Sequence, residues 1–234
     1  MRDEDGDGET DLQTVFIDGL DAPYGLALIG SDLYVANQGN LVRFGYTEGA
    51  TSIEGSGEEV TALPARINHH WTKAMTASPD GSFLYVGIGS NSNVGERGMD
   101  VEEDRAVIWE IDPATGASRI YASGIRNPTD LAFNPWTQQL WAVVNERDEL
   151  GPELVPDYLT SVQDGGFYGW PWAYWQIVDD RVPANPEMSA KALKPDYALG
   201  GHTASLGLCW VLAGTLPGFP AGMAIGQHGS WNRS

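Results

Sequence analysis

Met75-Thr-Ala-Ser-Pro-Asp-Gly-Ser-Phe-Leu-Tyr-Val-Gly-Ile88 sets a Pro-Asp-Gly turn between two short apolar runs, the pattern of a strand, a tight turn and a second strand. The same pattern stands at Tyr24-Gly-Leu-Ala-Leu-Ile-Gly-Ser-Asp-Leu-Tyr-Val-Ala-Asn37 and at Asp130-Leu-Ala-Phe-Asn-Pro-Trp-Thr-Gln-Gln-Leu-Trp-Ala-Val143. The second-run leucines Leu33, Leu84 and Leu140 recur at about 50 residues, the size of a four-stranded propeller blade. Further strands at Leu41–Phe44 and Ala106–Ile111 fill out the units. A fourth copy starts near Ser205-Leu-Gly-Leu-Cys-Trp210 and reaches Met223-Ala-Ile-Gly-Gln227, after a longer connection from Gly165 to Gly201, and lacks its outer strands. The expectation is an all-β propeller of about three complete blades plus partial ones. An unclosed ring leaves long strand edges, so residues 1–234 are expected to form a single domain that is incomplete at both ends. Glu54-Gly-Ser-Gly-Glu-Glu59 is short enough to be a loop between blades.

Composition agrees with short strands joined by turns. The chain has 29 Gly, 14 Pro and 9 Trp, residues that supply tight turns and half-buried pleated surfaces. Its 13 Lys and Arg stand against 32 Asp and Glu, and a formal charge of -19 repels a phosphate backbone, which argues against nucleic acid as a partner. No apolar run approaches the roughly 20 residues that span a bilayer, and no export signal is visible at the acidic N-terminus. The single cysteine, Cys209, offers no disulfide or zinc site and is expected to be a small buried hydrophobe.

The chemistry-bearing residues fall at the starts of inner strands and the ends of second strands, where propeller side chains converge on a central channel. Ile67-Asn-His-His-Trp-Thr-Lys73 precedes one inner strand, making His69, His70 and Lys73 candidates; a neutral imidazole there suits removal of a hydroxyl proton near pH 7. Paired histidines bonding loop backbone are the plain alternative. Arg126 and Asn127, in Gly124-Ile-Arg-Asn-Pro-Thr-Asp130, occupy the same place one blade later, as a donor fork with an amide or as a simple Asn-Pro turn. His228 and Arg233 stand in the loop Gln227-His-Gly-Ser-Trp-Asn-Arg233, as site or rim residues. The carboxylate-rich loop Asn145–Asp157 offers hard oxygens suited to Ca²⁺, although a solvated loop would read alike. Asp3, Asp5 and Asp7 begin like an EF-hand, but Thr14 stands where the bidentate Glu belongs, leaving a separate calcium turn or a tight acidic turn. Asp164-Gly-Gly-Phe-Tyr-Gly-Trp-Pro171 reads as a corner, with Trp170, Trp172, Tyr174 and Trp175 available for packing or for stacking on a planar ligand.

Taken in order, HHWTK, SPDG, IRNPTDLAFNP, the acidic loop, DGGFYGWP and GQHGSWNR resemble the soluble quinoprotein sugar dehydrogenases, in the sorbosone and pyranose dehydrogenase branch related to soluble glucose dehydrogenase, over about residues 15 to 234. The resemblance implies a six-bladed β-propeller holding pyrroloquinoline quinone and Ca²⁺, with a periplasmic or secreted location. It implies oxidation of an aldose or related sugar, with electrons passed to a quinone or cytochrome acceptor. His70 falls on the family's proton-accepting His, Arg126 and Asn127 on its quinone-binding Arg-Asn pair, and Arg233 near its later basic residue, with Lys73 also on the cofactor side. The main-chain carbonyls of Arg147 and Asp148 fall on its calcium site. Where soluble glucose dehydrogenase orients its His with an Asp, this chain reads Gly89-Ser90-Asn91, so Ser90, Asn91 or an acid from another blade is expected to do so. A calcium-dependent lactonase propeller and a non-catalytic carbohydrate- or protein-binding propeller are the alternatives. A lactonase would hold its metal through carboxylate side chains facing the channel, where this sequence places His and Arg.

Overall fold

The computed structural model of the chain describes residues 1–233. Three four-stranded antiparallel sheets follow one another along the chain. The first is β1 (Gly25–Ile29), β2 (Asp32–Ala36), β3 (Asn40–Gly45) and β4 (Glu58–Ala62); the second is β5 (Met75–Ala77), β6 (Leu84–Ile88), β7 (Val107–Ile111) and β8 (Ser118–Ser123). The third begins with β9 (Pro128–Phe133), β10 (Leu140–Val144) and β11 (Pro156–Ser161). The stretch after it carries a small hairpin, β12 (Ala173–Tyr174) with β13 (Ile177–Val178), and a short helix α1 (Pro186–Lys191) capped by the Asn185 side chain. It then supplies β14 (Tyr197–Gly201), which pairs with β11 and closes the third sheet. The segment that reads in sequence as a long connection therefore contains a blade strand, which its Gly200-Gly201 end disguises. A two-stranded sheet, β15 (Ser205–Val211) and β16 (Gly222–Gln227), completes the described elements.

Turn chemistry fixes the registers. Ile29 pairs with Asp32 across a two-residue turn whose first residue, Gly30, has φ 59°, a left-handed conformation that glycine adopts without strain. The Pro-Asp-Gly turn is pinned by Asp80, whose carboxylate accepts from the Ser78 and Ser82 hydroxyls and the Ser82 amide; these bonds hold its pKa at about 2.

Sheets pack face to face in sequence: β1 lies against β5, β5 and β6 against β9, and β9 and β10 against β15. The period of two along each strand sends alternate side chains to opposite neighbours. On β10, Leu140, Ala142 and Val144 join the core shared with the second sheet, whereas Val143 joins the cluster with Leu208 of β15. On β6, Leu84, Val86 and Ile88 face the first sheet and Tyr85 the third. The Tyr24 hydroxyl reaches from the start of β1 to the carbonyls of Thr129 and Leu206, at 3.2 and 3.3 Å, and so ties the inner edges together. This is the stacking of a β-propeller-like fold. Cys209 is exposed, because the alternation that buries Leu208 turns its neighbour outward. Among the described residues no helix is long and apolar enough to cross a membrane.

Candidate functional site

In a meander of this order the residues before a first strand and those after a second strand meet at one end of the sheet. His70 precedes β5 and Ser90 follows β6; Arg126 and Asn127 precede β9 and Asn145–Asp148 follow β10; His202 and Ala204 precede β15. These residues meet around a cleft of ≈ 220 Å³ lined by His69, His70, Arg126, Asn127, Asp148 and His202, with Glu146, Asp157 and Trp231 among its other walls. Backbone bonds lace the loops together: Ser90 N–H donates to the Arg126 carbonyl at 2.8 Å and Asn145 N–H to that of Asn127 at 3.0 Å.

His70 Nδ1 lies 2.7 Å from the Ser90 carbonyl and 3.1 Å from the Ser90 hydroxyl. That hydroxyl donates to the Ser92 carbonyl, so Nδ1 carries the proton and donates, leaving the Nε2 lone pair free. Burial, with the nearby Arg126 charge adding to it, pushes the His70 pKa well below its usual value against the opposing bond to Ser90, so the ring is a neutral acceptor at pH 7. Ser90 is thus the residue that orients the imidazole, and it does so through neutral groups. His69 is exposed, its pKa also lowered by partial burial and the charges of Arg97 and Arg126.

Gly89 explains how close the parts come. A Cβ added there would lie 2.5 Å from the His70 Cβ and closer still to Asn127 Oδ1. Asn127 is buried, and its Oδ1, turned toward Gly89, has no hydrogen-bond partner among the described residues. Arg126 is also buried, but its fork is engaged: Nε donates to the Asn93 carbonyl, Nη1 to those of Glu146 and Asn145, and Nη2 to Asn93 Oδ1, with Asp148 at 3.5 Å. It contributes charge to the cleft more than free donors.

Asp148 is a hub. Its carboxylate lies 3.3 Å from His202 Nδ1 and accepts from Asn232 and Arg126, while its carbonyl accepts from Arg181 at 2.9 Å and Asn93 at 3.3 Å. His202 Nε2 is 2.9 Å from the Gly151 carbonyl, so both of its ring nitrogens face oxygen. Arg147 is wholly enclosed, bonded to Glu146, Asp179 and the carbonyls of Pro171 and Ala173, and stacked on Tyr174. It pins the β12–β13 hairpin to the end of β10.

Several expected residues stand elsewhere. Lys73 is fully buried and turned from the cleft, its ammonium donating to Asn68 Oδ1 and the Trp71 carbonyl, both at 2.9 Å. The Asn68 it binds is the second of two left-handed residues, Ile67 and Asn68, in the same loop. Among the described residues, the exposed Arg233 side chain reaches the Gly201 carbonyl and His228 points to its own loop, although Ser230 and Trp231 between them do line the cleft. The DGGFYGWP string is a corner: Trp170 is buried and donates to the Asn93 carbonyl, and Trp175 packs on Tyr158. Asp3 and Asp5 approach one another with Asp11, all exposed, rather than with Asp7. Glu146 and Asp157, the ends of the carboxylate-rich loop, do reach the cleft, whereas His202 went unmarked in sequence. Gly201-His-Thr-Ala204 repeats the position of His70 and Arg126 one blade further on, a periodic signal that the disguised β14 obscured.

The fold and this ring of loops define a propeller-like protein with its site at the blade ends. The model of the TrAA12-like family matches residues 2–157, and the chain belongs to that family. A pyranose dehydrogenase PQQ domain from Coprinopsis cinerea, in its holo form, superposes with a TM-score of 0.72 at 16% identity, covering 92% of this chain and 73% of that one. A calcium structure of the Trichoderma reesei enzyme of carbohydrate-active family AA12 gives 0.70 at 17% identity, covering 90% and 62%. The aldose sugar dehydrogenase YliI of Escherichia coli is 31% identical over 102 residues, 38% of this chain and 26% of that protein. An uncharacterised Borreliella burgdorferi protein is 29% identical over 154 residues, 64% and 40% respectively, so the chain spans less than half the length of these two relatives.

Proposed function

We propose that this chain forms the site-bearing part of a sugar dehydrogenase that uses pyrroloquinoline quinone, acting on an aldose or related pyranose within a six-bladed propeller. The observation that carries the reading is the pairing of a neutral His70, whose Nδ1–H is held on Ser90, with Asn127 and buried Arg126 on the same cleft. The donor set suits a flat polar quinone: the Asn127 amide and the His69 ring are available, and buried Arg126 sets a positive potential beneath them. The quinone, when bound, supplies the hydride acceptor.

The chain's own part is positional. His70 Nε2 takes the proton of the sugar hydroxyl at the carbon being oxidised, while Nδ1–H stays on the Ser90 carbonyl and fixes the tautomer. Asn127 fixes the orientation of the bound ring. The lowered His70 pKa keeps the lone pair available through neutral pH.

Asp148 as placed does not fit a calcium ion. Its carbonyl already accepts from the Arg181 guanidinium and the Asn93 amide, and its carboxylate is shared among Arg126, His202 and Asn232. A divalent cation would have to displace a fixed positive charge, so no step is assigned to it.

Titration of the apo protein with pyrroloquinoline quinone, followed by tryptophan fluorescence, is expected to show saturable quenching that His70→Asn preserves. The same substitution is expected to lower dye-coupled sugar oxidation by about 10²- to 10⁴-fold, the range of a lost general base. Absence of quenching, or full turnover by the variant, overturns the reading.

A further inference from the structure

We propose that Glu102 and Arg105, both from the excursion between β6 and β7, are positioning residues for the His70 imidazole. The inference rests on His70 being the proton acceptor. Among the described residues His70 Nδ1 is held by Ser90 alone, and the loop Gly89–Ser92 has no charged residue. Glu102 supplies the anchor. Its buried carboxylate accepts from the Asn91 amide at 2.7 Å and from the Ser92 hydroxyl. Ser92, fixed in this way, offers its carbonyl to the Ser90 hydroxyl at 2.6 Å, which leaves the lone pairs of that hydroxyl turned to Nδ1.

Arg105 holds the other side. Its guanidinium donates to the His70 carbonyl at 2.9 Å, the Pro64 carbonyl at 2.9 Å and Asn68 Oδ1 at 3.0 Å. The loop it grips contains two successive left-handed residues, Ile67 at φ 65° and Asn68 at φ 55°, a conformation that a branched side chain adopts only when its surroundings impose it. Lys73 grips the same Asn68 oxygen from below. Glu102 and Arg105 sit three residues apart, and the Arg105 amide donates to the Glu102 carbonyl, so one short segment sets both loops that meet at the imidazole. Burying two opposite charges is costly, and among the described residues the side-chain bonds they make go to those two loops.

The test uses Glu102→Gln and Arg105→Met, read in the apo protein by the ¹⁵N-labelled His70 side-chain resonances and in the loaded protein by kcat and KM. Each variant is expected to lose the slowly exchanging Nδ1–H signal of His70, and to lower kcat by roughly 10-fold or more with the sugar KM unchanged, because misplacement of a reacting group acts on the chemical step. Should either variant fail to fold, Ser92→Ala removes only the hydroxyl that joins Glu102 to the loop and is expected to move the same signal. An unmoved His70 signal in the folded variants overturns the positioning role. Full turnover by His70→Asn overturns instead the reading on which it rests.

Discussion

Gly89→Ala tests the site through a single methyl group. The position has no left-handed φ, so alanine brings no backbone strain of its own, and the effect is one of space. The new Cβ would stand 2.5 Å from the His70 Cβ and nearer still to Asn127 Oδ1. Ordinary carbon contact is about 3.5–4.0 Å, so His70 and Asn127 must part by roughly 1 Å. Displacement of that size costs on the order of 10²-fold in rate when a reacting group is moved, and overpacking of this kind costs about 1–3 kcal/mol in stability. Urea unfolding measures the second quantity; dye-coupled turnover at saturating quinone and sugar measures the first. Turnover within about threefold of the parent, at unchanged stability, would refute the claim that the His70–Asn127 spacing is set by the bare backbone at Gly89.

Burial and the adjacent Arg105 charge lower the Lys73 pKa from 10.5 to about 7. The unfolded chain therefore binds a proton between pH 7 and 10.5 that the native chain does not, and stability from this group rises with pH across that window, by up to about 1.4 kcal/mol per unit. Lys73→Met is expected to remove the rise, and parallel unfolding curves for parent and variant against pH would disprove it. Arg147→Met leaves Glu146 buried without its cation and Asp179 with Arg181 alone, and is expected to cost about 3–5 kcal/mol in urea unfolding; a loss below about 1 kcal/mol would show that the hairpin is held by other contacts. Burial raises the Asp179 pKa, but bonds from Arg181 and Arg147 outweigh it and hold it at about 2, so this contribution persists down to mildly acidic pH and is lost only as the pH falls toward that value. Cys209 is expected to react fully with a thiol reagent in the native protein, since it lies exposed on β15; protection until unfolding would contradict its placement.

The blade repeat was legible because it depends on local chemistry. Alternating apolar residues around a two- or three-residue turn form a hairpin wherever they occur, and Leu33, Leu84 and Leu140 fall in β2, β6 and β10 as their spacing requires. The approximate position of the site was legible for the same reason: a meander brings the ends of known strands together, which gathers His70, Arg126, Asn127 and Asp148 on one cleft. β14 escaped because its Tyr-Ala-Leu-Gly-Gly run lacks the apolar alternation, and only pairing with β11 makes it a strand.

What sequence alone determined is therefore the class of fold, the blade period and the family to which His70 and its neighbours belong. Only the tertiary structure decided what each charged group does. Lys73 and Arg147 carry the same charge as a cofactor-binding residue would, and their position along the chain is right for one; burial and the direction of each side chain turned them into braces. His202 joined the candidate site through its contact with Asp148, 54 positions away in the chain. Periodicity is written in neighbouring residues, whereas side-chain direction and dielectric surroundings arise only once the sheets have packed.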